Sequence, residues 1–143
     1  YNDLANPCAI MVYMGAIAQG GKTAVPELVL KTVNPLGLPS LPTLTSRTKS
    51  LINADTAATM ADMMAKNVTD TYGASRFPNM DICAKSGTAE VGGGKAPHAW
   101  FAGFLRNEDA PYAFVVLVEN GGSGADVAGS VAAKVLDALV NGY

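Results

Sequence analysis

The sequence has little of what metal sites, nucleic-acid surfaces and membrane spans require. It holds two cysteines and one histidine in 143 residues, which excludes the Cys/His clusters of structural zinc sites. The formal net charge is −2 and no basic run occurs, so the composition argues against a nucleic-acid partner. No apolar run approaches the length of a membrane span, no signal peptide is visible, and nothing predicts a metal or another cofactor.

What the chain does have is apolar material for a core. Hydrophobic residues make up 49% and charged residues 15%, a balance typical of globular rather than disordered chains. A chain of this length can form one compact domain that buries roughly 70% of its unfolded surface. No internal repeat or interdomain linker is visible, and the start at Tyr1 without a methionine predicts a trimmed or processed chain.

The two cysteines, Cys8 and Cys83, leave two interpretations open. A disulfide would suit an extracytoplasmic protein. Two buried free thiols suit the apolar neighbours of both residues, because free cysteine is among the most buried residue types. Of the two interpretations, we expect the buried free thiols.

The first predicted helix begins at a proline. Asn6 can cap this helix, and Pro7 fits the first helical position, where the missing N–H costs nothing. Gly20 and Gly21 are expected to end it. Its apolar stripe contains five residues: Ile10, Met11, Met14, Ile17 and Ala18.

Two further helices are predicted, from about Asp55 to Asp70 and from about Asp126 to Val140. Ser123 or Asp126 can cap the last helix, and Gly142 can close it. In the second helix a methionine-rich stripe is interpreted as ordinary core packing: Ala57, Met60, Ala61, Met63, Met64 and Val68. In the last helix the predicted buried face is Val127, Val131, Val135 and Leu139, with Ala128, Ala132 and Leu136 beside it.

The strands are predicted from runs of apolar residues. A short strand from Leu28 to Val33 precedes an irregular loop from Asn34 to Ser50. Three longer strands follow, at about Asp81 to Glu90, His98 to Leu105 and Tyr112 to Val118. The last two are apolar at odd and even positions alike, so we expect burial on both faces, with helices covering both sides of the sheet. Their short connections favour antiparallel pairing.

The most informative segment lies on the first of these three strands. Lys85-Ser86-Gly87-Thr88-Ala89-Glu90 sets an ammonium, two hydroxyls and a glycine side by side, and His98-Ala99-Trp100-Phe101-Ala102-Gly103-Phe104 follows after a glycine-rich turn. Alternate side chains of a strand point to opposite faces, so Lys85 and Gly87 face one way while Ser86 and Thr88 face the other. Gly87 leaves room for a ligand to approach the backbone. At a twisted edge these groups can converge on one carboxylate.

The sequence KSGTAE…HAWFAGF resembles the third active-site motif and following strand of the penicillin-binding proteins, with Ser86 where threonine is commoner. These serine acyl-transferases cross-link peptidoglycan, and serine β-lactamases are their relatives. The segments AIAQGGK and VENGGSGA also fit the family's order, so the resemblance covers nearly the whole chain, residues 1–143, as the C-terminal part of a transpeptidase domain. It implies an α+β fold in which helices sandwich an antiparallel sheet.

The resemblance implies roles for four residues. Lys85 would supply positive charge to the site, and the hydroxyls of Ser86 and Thr88 would bind the carboxylate of a stem peptide or a β-lactam. Gly87 would belong to the same substrate-binding strand. The backbone amide of Thr88 would be half of an oxyanion hole. The intact enzyme would be a D,D-transpeptidase on the extracytoplasmic face of the bacterial membrane, anchored by a part that this chain lacks.

The nucleophile of that family is not found in the chain. The family's chemistry needs a Ser-x-x-Lys and a Ser-x-Asn, and no Ser-x-Asn occurs here. The one Ser-x-x-Lys runs from Ser46 to Lys49 in a proline-rich polar stretch with no apolar helix after it, so we interpret it as a loop. The chain is therefore expected to carry the substrate-binding strand without the attacking serine, and to be inactive alone. Two alternatives stay open for the intact protein: a β-lactam sensor and a serine β-lactamase.

Two other features carry weaker signals. Gly15 to Thr23 approaches a phosphate-binding loop, but its spacing is wrong by one residue and it ends a helix rather than opening one. His98, the only histidine, is interpreted as structural or exposed, because no partner for a triad can be named from sequence.

The strand from Tyr112 to Val118 is predicted to be a bare sheet edge. Its letters YAFVVLV include no lysine, no proline and no inward charge to blunt that edge. In the resembled fold a strand from the absent part pairs there. We therefore expect homodimers through this edge, or aggregation at high concentration.

Overall fold

The computed structural model describes residues 4–27, 29, 33–38 and 46–142. Helix α1 is Pro7–Ala18, α2 is Ala54–Asn67 and α3 is Gly129–Val140. The strands are β1 (Ile82–Ala89), β2 (His98–Leu105) and β3 (Ala113–Val118). A π-helical turn, Val68–Tyr72, extends α2, and another, Gly124–Ala128, leads into α3.

The three strands form one antiparallel sheet in the order β1-β2-β3. Lys85 lies opposite Ala102, and Phe101 is flanked by Ser86 on β1 and Val116 on β3. Helices α1 and α2 pack on one face of the sheet and α3 packs on the other. The predicted α+β sandwich, the three strands and their antiparallel pairing are confirmed.

The start of α1 is as the sequence predicts. The side chain of Asn6 accepts a hydrogen bond from the amide of Cys8 at 2.8 Å, and Pro7 occupies the first helical position. The helix ends before Gly20 and Gly21, whose φ angles of 67° and 104° suit glycine. Within the predicted apolar stripe of α1, Ile17 is buried, whereas Ala18 is exposed.

Helix α2 corrects the interpretation of the methionine-rich stripe. Ala57, Ala61, Met64 and Val68 are buried as predicted, but Met60 is 39% exposed and Met63 is 67% exposed. The α-helix starts at Ala54, behind the capping side chain of Asn53, and ends three residues earlier than predicted. Ordinary core packing therefore describes four of the six residues of the stripe, because no described element covers the outer two methionines.

Helix α3 turns a different face inward from the one predicted. Val131, Val135 and Leu139 are 42–53% exposed, whereas Ala128, Ala132 and Leu136 are buried. Small residues explain the difference, since they let the helix approach the sheet so closely that a Cβ on Gly129 would lie 3.4 Å from the Phe101 ring. Ser123 is the residue that caps this segment, by accepting a hydrogen bond from the Asp126 amide at 3.3 Å.

Burial of the sheet is less complete than predicted. The side chains of Phe101 and Phe104 are fully enclosed, but Trp100 on β2 is half-buried. Every residue of β3 is also only half-buried. Helices do lie on both faces, yet the described elements leave β3 partly open.

The two cysteines are free, and only one is buried. Cys83 is fully enclosed on β1, as expected. Cys8 is exposed, so its predicted burial is wrong: it lies in the first turn of α1, outside the part of the helix that packs inward. Burial raises the pKa of the Cys83 thiol to about 11.

The predicted strand from Leu28 to Val33 lies outside the described residues, apart from Val29 and Val33. The loop predicted to follow it is described only in part. Residues 34–38 form a turn whose amides at Leu36 and Leu38 donate to the Asn34 side chain, and an isolated bridge pairs Ala24 with Arg47.

Candidate functional site

The four residues singled out by sequence lie together on β1, which is an edge of the described sheet. Ser86 and Thr88 stand opposite Phe101 and Ala99, on the face that α3 covers. Lys85 is on the other face, beside α2. The predicted alternation is therefore present: the ammonium and the two hydroxyls lie on opposite faces of this edge strand.

Lys85 is one of the residues that line an open apolar cleft. Its Nζ donates a hydrogen bond to the Ser86 carbonyl at 2.7 Å, which leaves two N–H groups for a ligand. The cleft has a volume of about 620 Å³. Lys85 is exposed there, and the remaining lining residues come from α1, α2 and the π-helical turn after α2: Met14, Met60, Met63, Met64, Lys66, Asn67, Asp70 and Thr71.

Tyr72 makes two hydrogen bonds with Ser86 at the outer edge of β1. The backbone amide of Ser86 donates to the Tyr72 hydroxyl oxygen at 2.7 Å, and the Tyr72 hydroxyl donates to Ser86 Oγ at 3.0 Å. Just before it on β1, the carbonyl of Ala84 accepts a hydrogen bond from the Asn67 side chain at 3.1 Å. At Ala84 and Ser86, the peptide groups of β1 that point away from β2 are thus hydrogen-bonded to side chains.

Thr88 is the next residue whose peptide group points outward. Outward and inward peptide groups alternate along an antiparallel strand, so the Thr88 amide faces the same side as that of Ser86. It has no side-chain partner in the described part of the chain. Its Oγ1 accepts a hydrogen bond from the backbone amide of Gly124 at 3.2 Å, which ties it to the turn before α3.

Gly87 and Gly124 both permit close approaches. A Cβ on Gly87 would lie 3.2 Å from the Cβ of Trp100, so the glycine lets β2 pack closely against β1. A Cβ on Gly124 would lie 2.2 Å from the Gly87 carbonyl oxygen. The turn before α3 can therefore reach Thr88 only with a glycine at position 124.

The ionisation of Tyr72 is shifted by its contacts. Burial opposes loss of its proton, but hydrogen bonds with Ser86 and Asn67 and the charge of Lys85 outweigh it, so the pKa of Tyr72 is lowered. Sequence reasoning missed Tyr72, because the second helix was predicted to end at Asp70. A signal did exist, since Tyr72 continues the four-residue spacing of Met64 and Val68.

The other candidates fall outside this edge. Ser46 and Lys49 lie in an extended segment with no helix, which confirms the loop interpretation. The Nδ1 atom of His98 accepts a hydrogen bond from the Asn120 amide at 2.9 Å, which fits the structural role expected for it. Within the described ranges, no three His, Cys, Asp or Glu side chains are grouped so as to hold a metal ion. None of the described helices is long and apolar enough to cross a membrane.

Comparison with known proteins gives consistent matches. Residues 1–140 match the model of the penicillin binding protein transpeptidase domain. The peptidoglycan D,D-transpeptidase PbpA of Mycobacterium tuberculosis is 30% identical over 146 aligned residues, covering 95% of this chain and 29% of that protein. Its Mycolicibacterium smegmatis counterpart is 35% identical over 104 residues, covering 66% of this chain and 21% of that protein.

Solved structures match over the same length. Penicillin-binding protein A from M. tuberculosis, as an imipenem acyl-enzyme complex, superposes with a TM-score of 0.85 at 29% identity, covering 98% of this chain and 32% of that one. The D,D-transpeptidase domain of a peptidoglycan glycosyltransferase from Eggerthella lenta gives 0.75 at 25% identity, covering 92% and 31%. The chain thus spans about a third or less of these relatives. Together with the sheet and its three helices, these matches show that the chain belongs to the penicillin-binding protein transpeptidase domain family.

Proposed function

We propose that this chain is the part of a peptidoglycan D,D-transpeptidase that binds the carboxylate of its substrate, and that the attacking serine lies outside it. The observation that carries the proposal is the hydrogen-bond state of the edge of β1. Ser86 Oγ and Thr88 Oγ1 each already accept a hydrogen bond from the protein. Each hydroxyl proton therefore remains to be donated, which suits a carboxylate, an acceptor-only group.

Charge and backbone support the same ligand. Lys85 adds an ammonium that reaches the outward carbonyl of Ser86 at the same strand edge, and hydrogen bonds to an ionised partner are about twice as strong as neutral ones. The outward amide of Thr88 offers a donor to an oxyanion that forms next to the carboxylate site. A stem peptide ending in D-Ala-D-Ala presents both groups, a terminal carboxylate and the carbonyl of the bond to be broken.

The proposed reaction is acyl transfer in two steps. A serine oxygen outside this chain attacks the carbonyl of the penultimate residue, an ester forms, and the peptide bond breaks with release of D-alanine. An amine of a second stem peptide then attacks the ester, and the serine leaves. A β-lactam stops at the first step, as in the acyl-enzyme complexes of the M. tuberculosis relative. The proposed reaction implies an extracytoplasmic location for the intact protein, because peptidoglycan lies outside the cytoplasmic membrane.

Two alternatives remain weaker. A β-lactam sensor would use the same carboxylate site, and a serine β-lactamase would add a base for water. The curated relatives are named peptidoglycan D,D-transpeptidases, which favours the synthetic enzyme over both.

The test is the rate of acylation by a fluorescent penicillin in the complete transpeptidase domain. Lys85→Ala should slow acylation about 10- to 150-fold, the effect of losing a charge-assisted contact worth roughly 1.5–3 kcal/mol. Lys134→Ala, which removes an exposed lysine from α3, is the matched control and should leave the rate unchanged. Equal rates for the Lys85 variant and the wild type would remove the carboxylate-site proposal.

A further inference from the structure

Tyr72 reaches the edge of β1 because a π-helical turn extends α2. The turn spans Val68–Tyr72 and closes with the Gly73 amide donating to the Val68 carbonyl at 3.0 Å. The Tyr72 ring is 6% exposed and packs edge-on against Phe101, with ring centroids 5.2 Å apart. Its hydroxyl reaches β1, where it meets both the amide and the side chain of Ser86.

Hydrogen-bond counting fixes the direction of each contact. The Tyr72 oxygen accepts from the Ser86 amide, so this end of the phenol is already oriented. Its single proton then goes to Ser86 Oγ, the acceptor 3.0 Å away. A phenol is more acidic than an aliphatic hydroxyl, which makes it the better donor of the pair. The proton of Ser86 is left to point away from Tyr72.

We infer that Tyr72 is a positioning residue for the carboxylate site: it turns Ser86 into a hydrogen-bond donor, and it occupies the Ser86 amide so that a ligand pairs with the strand edge only from Thr88 onward. This inference rests on the proposed function, because it concerns how the same site holds its ligand. Tyr72 acts through Ser86 and touches no reacting atom.

The experiment compares two substrates in the complete transpeptidase domain. Acylation rates are measured with a penicillin and with its methyl ester, which lacks the carboxylate charge. The variants are Tyr72→Phe, Ser86→Ala and the double variant. Tyr72→Phe keeps the ring on Phe101 and removes only the hydroxyl, so thermal unfolding should change little. Tyr112→Phe is the matched control, since that tyrosine is 43% exposed and lies just before β3.

The expected result is a loss of discrimination between acid and ester. Tyr72→Phe should lower the ratio of the two rates about three- to tenfold, the range for losing one oriented hydrogen bond. Ser86→Ala should lower the ratio by at least as much. In the double variant the loss in the acid-to-ester ratio should equal that of Ser86→Ala alone, because the backbone amide that Tyr72 also occupies affects acid and ester alike and cancels from the ratio.

Two outcomes would overturn the inference. An equal loss for acid and ester would mean that Tyr72 only supports the fold, and losses that multiply in the double variant would mean that it acts apart from Ser86. Neither outcome touches the proposed function, provided that the wild type discriminates between acid and ester. A wild-type domain that is not acylated, or that treats both alike, would remove the proposed function and this inference together.

Discussion

The two edges of the sheet differ in what covers them. Along β1, side chains from the preceding segment hydrogen-bond to the peptide groups that point outward. Asn67 binds the Ala84 carbonyl, and Tyr72 binds the Ser86 amide. That cover stops before Thr88. Along β3 the outward peptide groups belong to Ala113, Val115 and Leu117, as the register with β2 requires, and no strand among the described residues pairs with them.

This difference predicts different partners for the two edges. A strand edge that is covered up to one residue gives an extended ligand a single starting point, so it can select both register and end group. A bare edge of aliphatic residues offers no such stop and pairs with any strand that fits. We expect β1 to bind a peptide end and β3 to take another strand.

The largest expected effect tests whether the β1 edge can act alone. If the attacking serine lies outside this chain, as proposed, the chain by itself should form no covalent adduct with a fluorescent penicillin. Gel fluorescence after denaturation measures this. A stoichiometric band that disappears in Ser46→Ala would mean that Ser46 is a nucleophile after all, and that the binding edge is complete in this chain.

The next effect concerns the bare edge of β3. In a homodimer paired through β3, the amides of Val115 and Leu117 should exchange hydrogen slowly, while light scattering reports twice the monomer mass. The amides of Phe114 and Val116 are the internal control, since they point to β2 and should be protected in monomer and dimer alike. A monomer with exchanging edge amides would contradict dimerisation. A monomer with those amides protected would show that residues of the chain itself cover the edge.

A smaller effect tests how the β1 edge is held against α3. Gly124→Ala should lower the free energy of unfolding by about 1–3 kcal/mol, because the new Cβ would lie 2.2 Å from the Gly87 carbonyl oxygen and force the turn outward. Chemical denaturation measures the loss. Gly129→Ala is the matched control: its Cβ would meet neighbours at 3.4 Å, so stability should change little. Equal losses in both variants would show that position 124 is not specially constrained.

The smallest effect concerns the covered end of β1. Cys83 should resist thiol reagents in the folded chain while exposed Cys8 reacts, and both should react after unfolding. The pKa of Cys83 is about 11 against a usual 9.0, so its protonated form favours folding below about pH 9. That contribution should be lost as the pH rises towards 11, and Cys83→Ala should remove this part of the pH dependence. Rapid labelling of both cysteines in the folded chain would show that this end of β1 opens.

The strands could be predicted from sequence almost to the residue, because long apolar runs broken by glycine and polar turns leave few alternatives. The inward face of α3 could not. Its valines and its alanines form two neighbouring stripes with the same four-residue spacing, and only contact with Phe101 decides between them. The exposure of Met60 and Met63 could not be predicted either, since the sequence shows which residues are apolar but not which neighbours cover them.

The candidate site also has a part that could be predicted from sequence and a part that could not. Lys85, Ser86, Gly87 and Thr88 could be found from a local motif, and the alternation of strand side chains predicted their faces. Tyr72 could not be found from a motif, since its contact with Ser86 depends on a π-helical turn that positions the tyrosine against a strand beginning ten residues further on.

The edge position of the site on β1 has a consequence for how its selectivity can vary. The ammonium of Lys85 is set from the α2 side, while the hydroxyls of Ser86 and Thr88 are set by Tyr72 and by the turn before α3. Substitutions on the α2 side therefore act first on the positive charge, and substitutions around Tyr72 or the turn before α3 act first on the hydroxyls. The charge of Lys85 acts on Tyr72 and links the two sides. At the proposed site, the strength of anion attraction and the geometry of the bound end group are thus set mainly from opposite faces of β1.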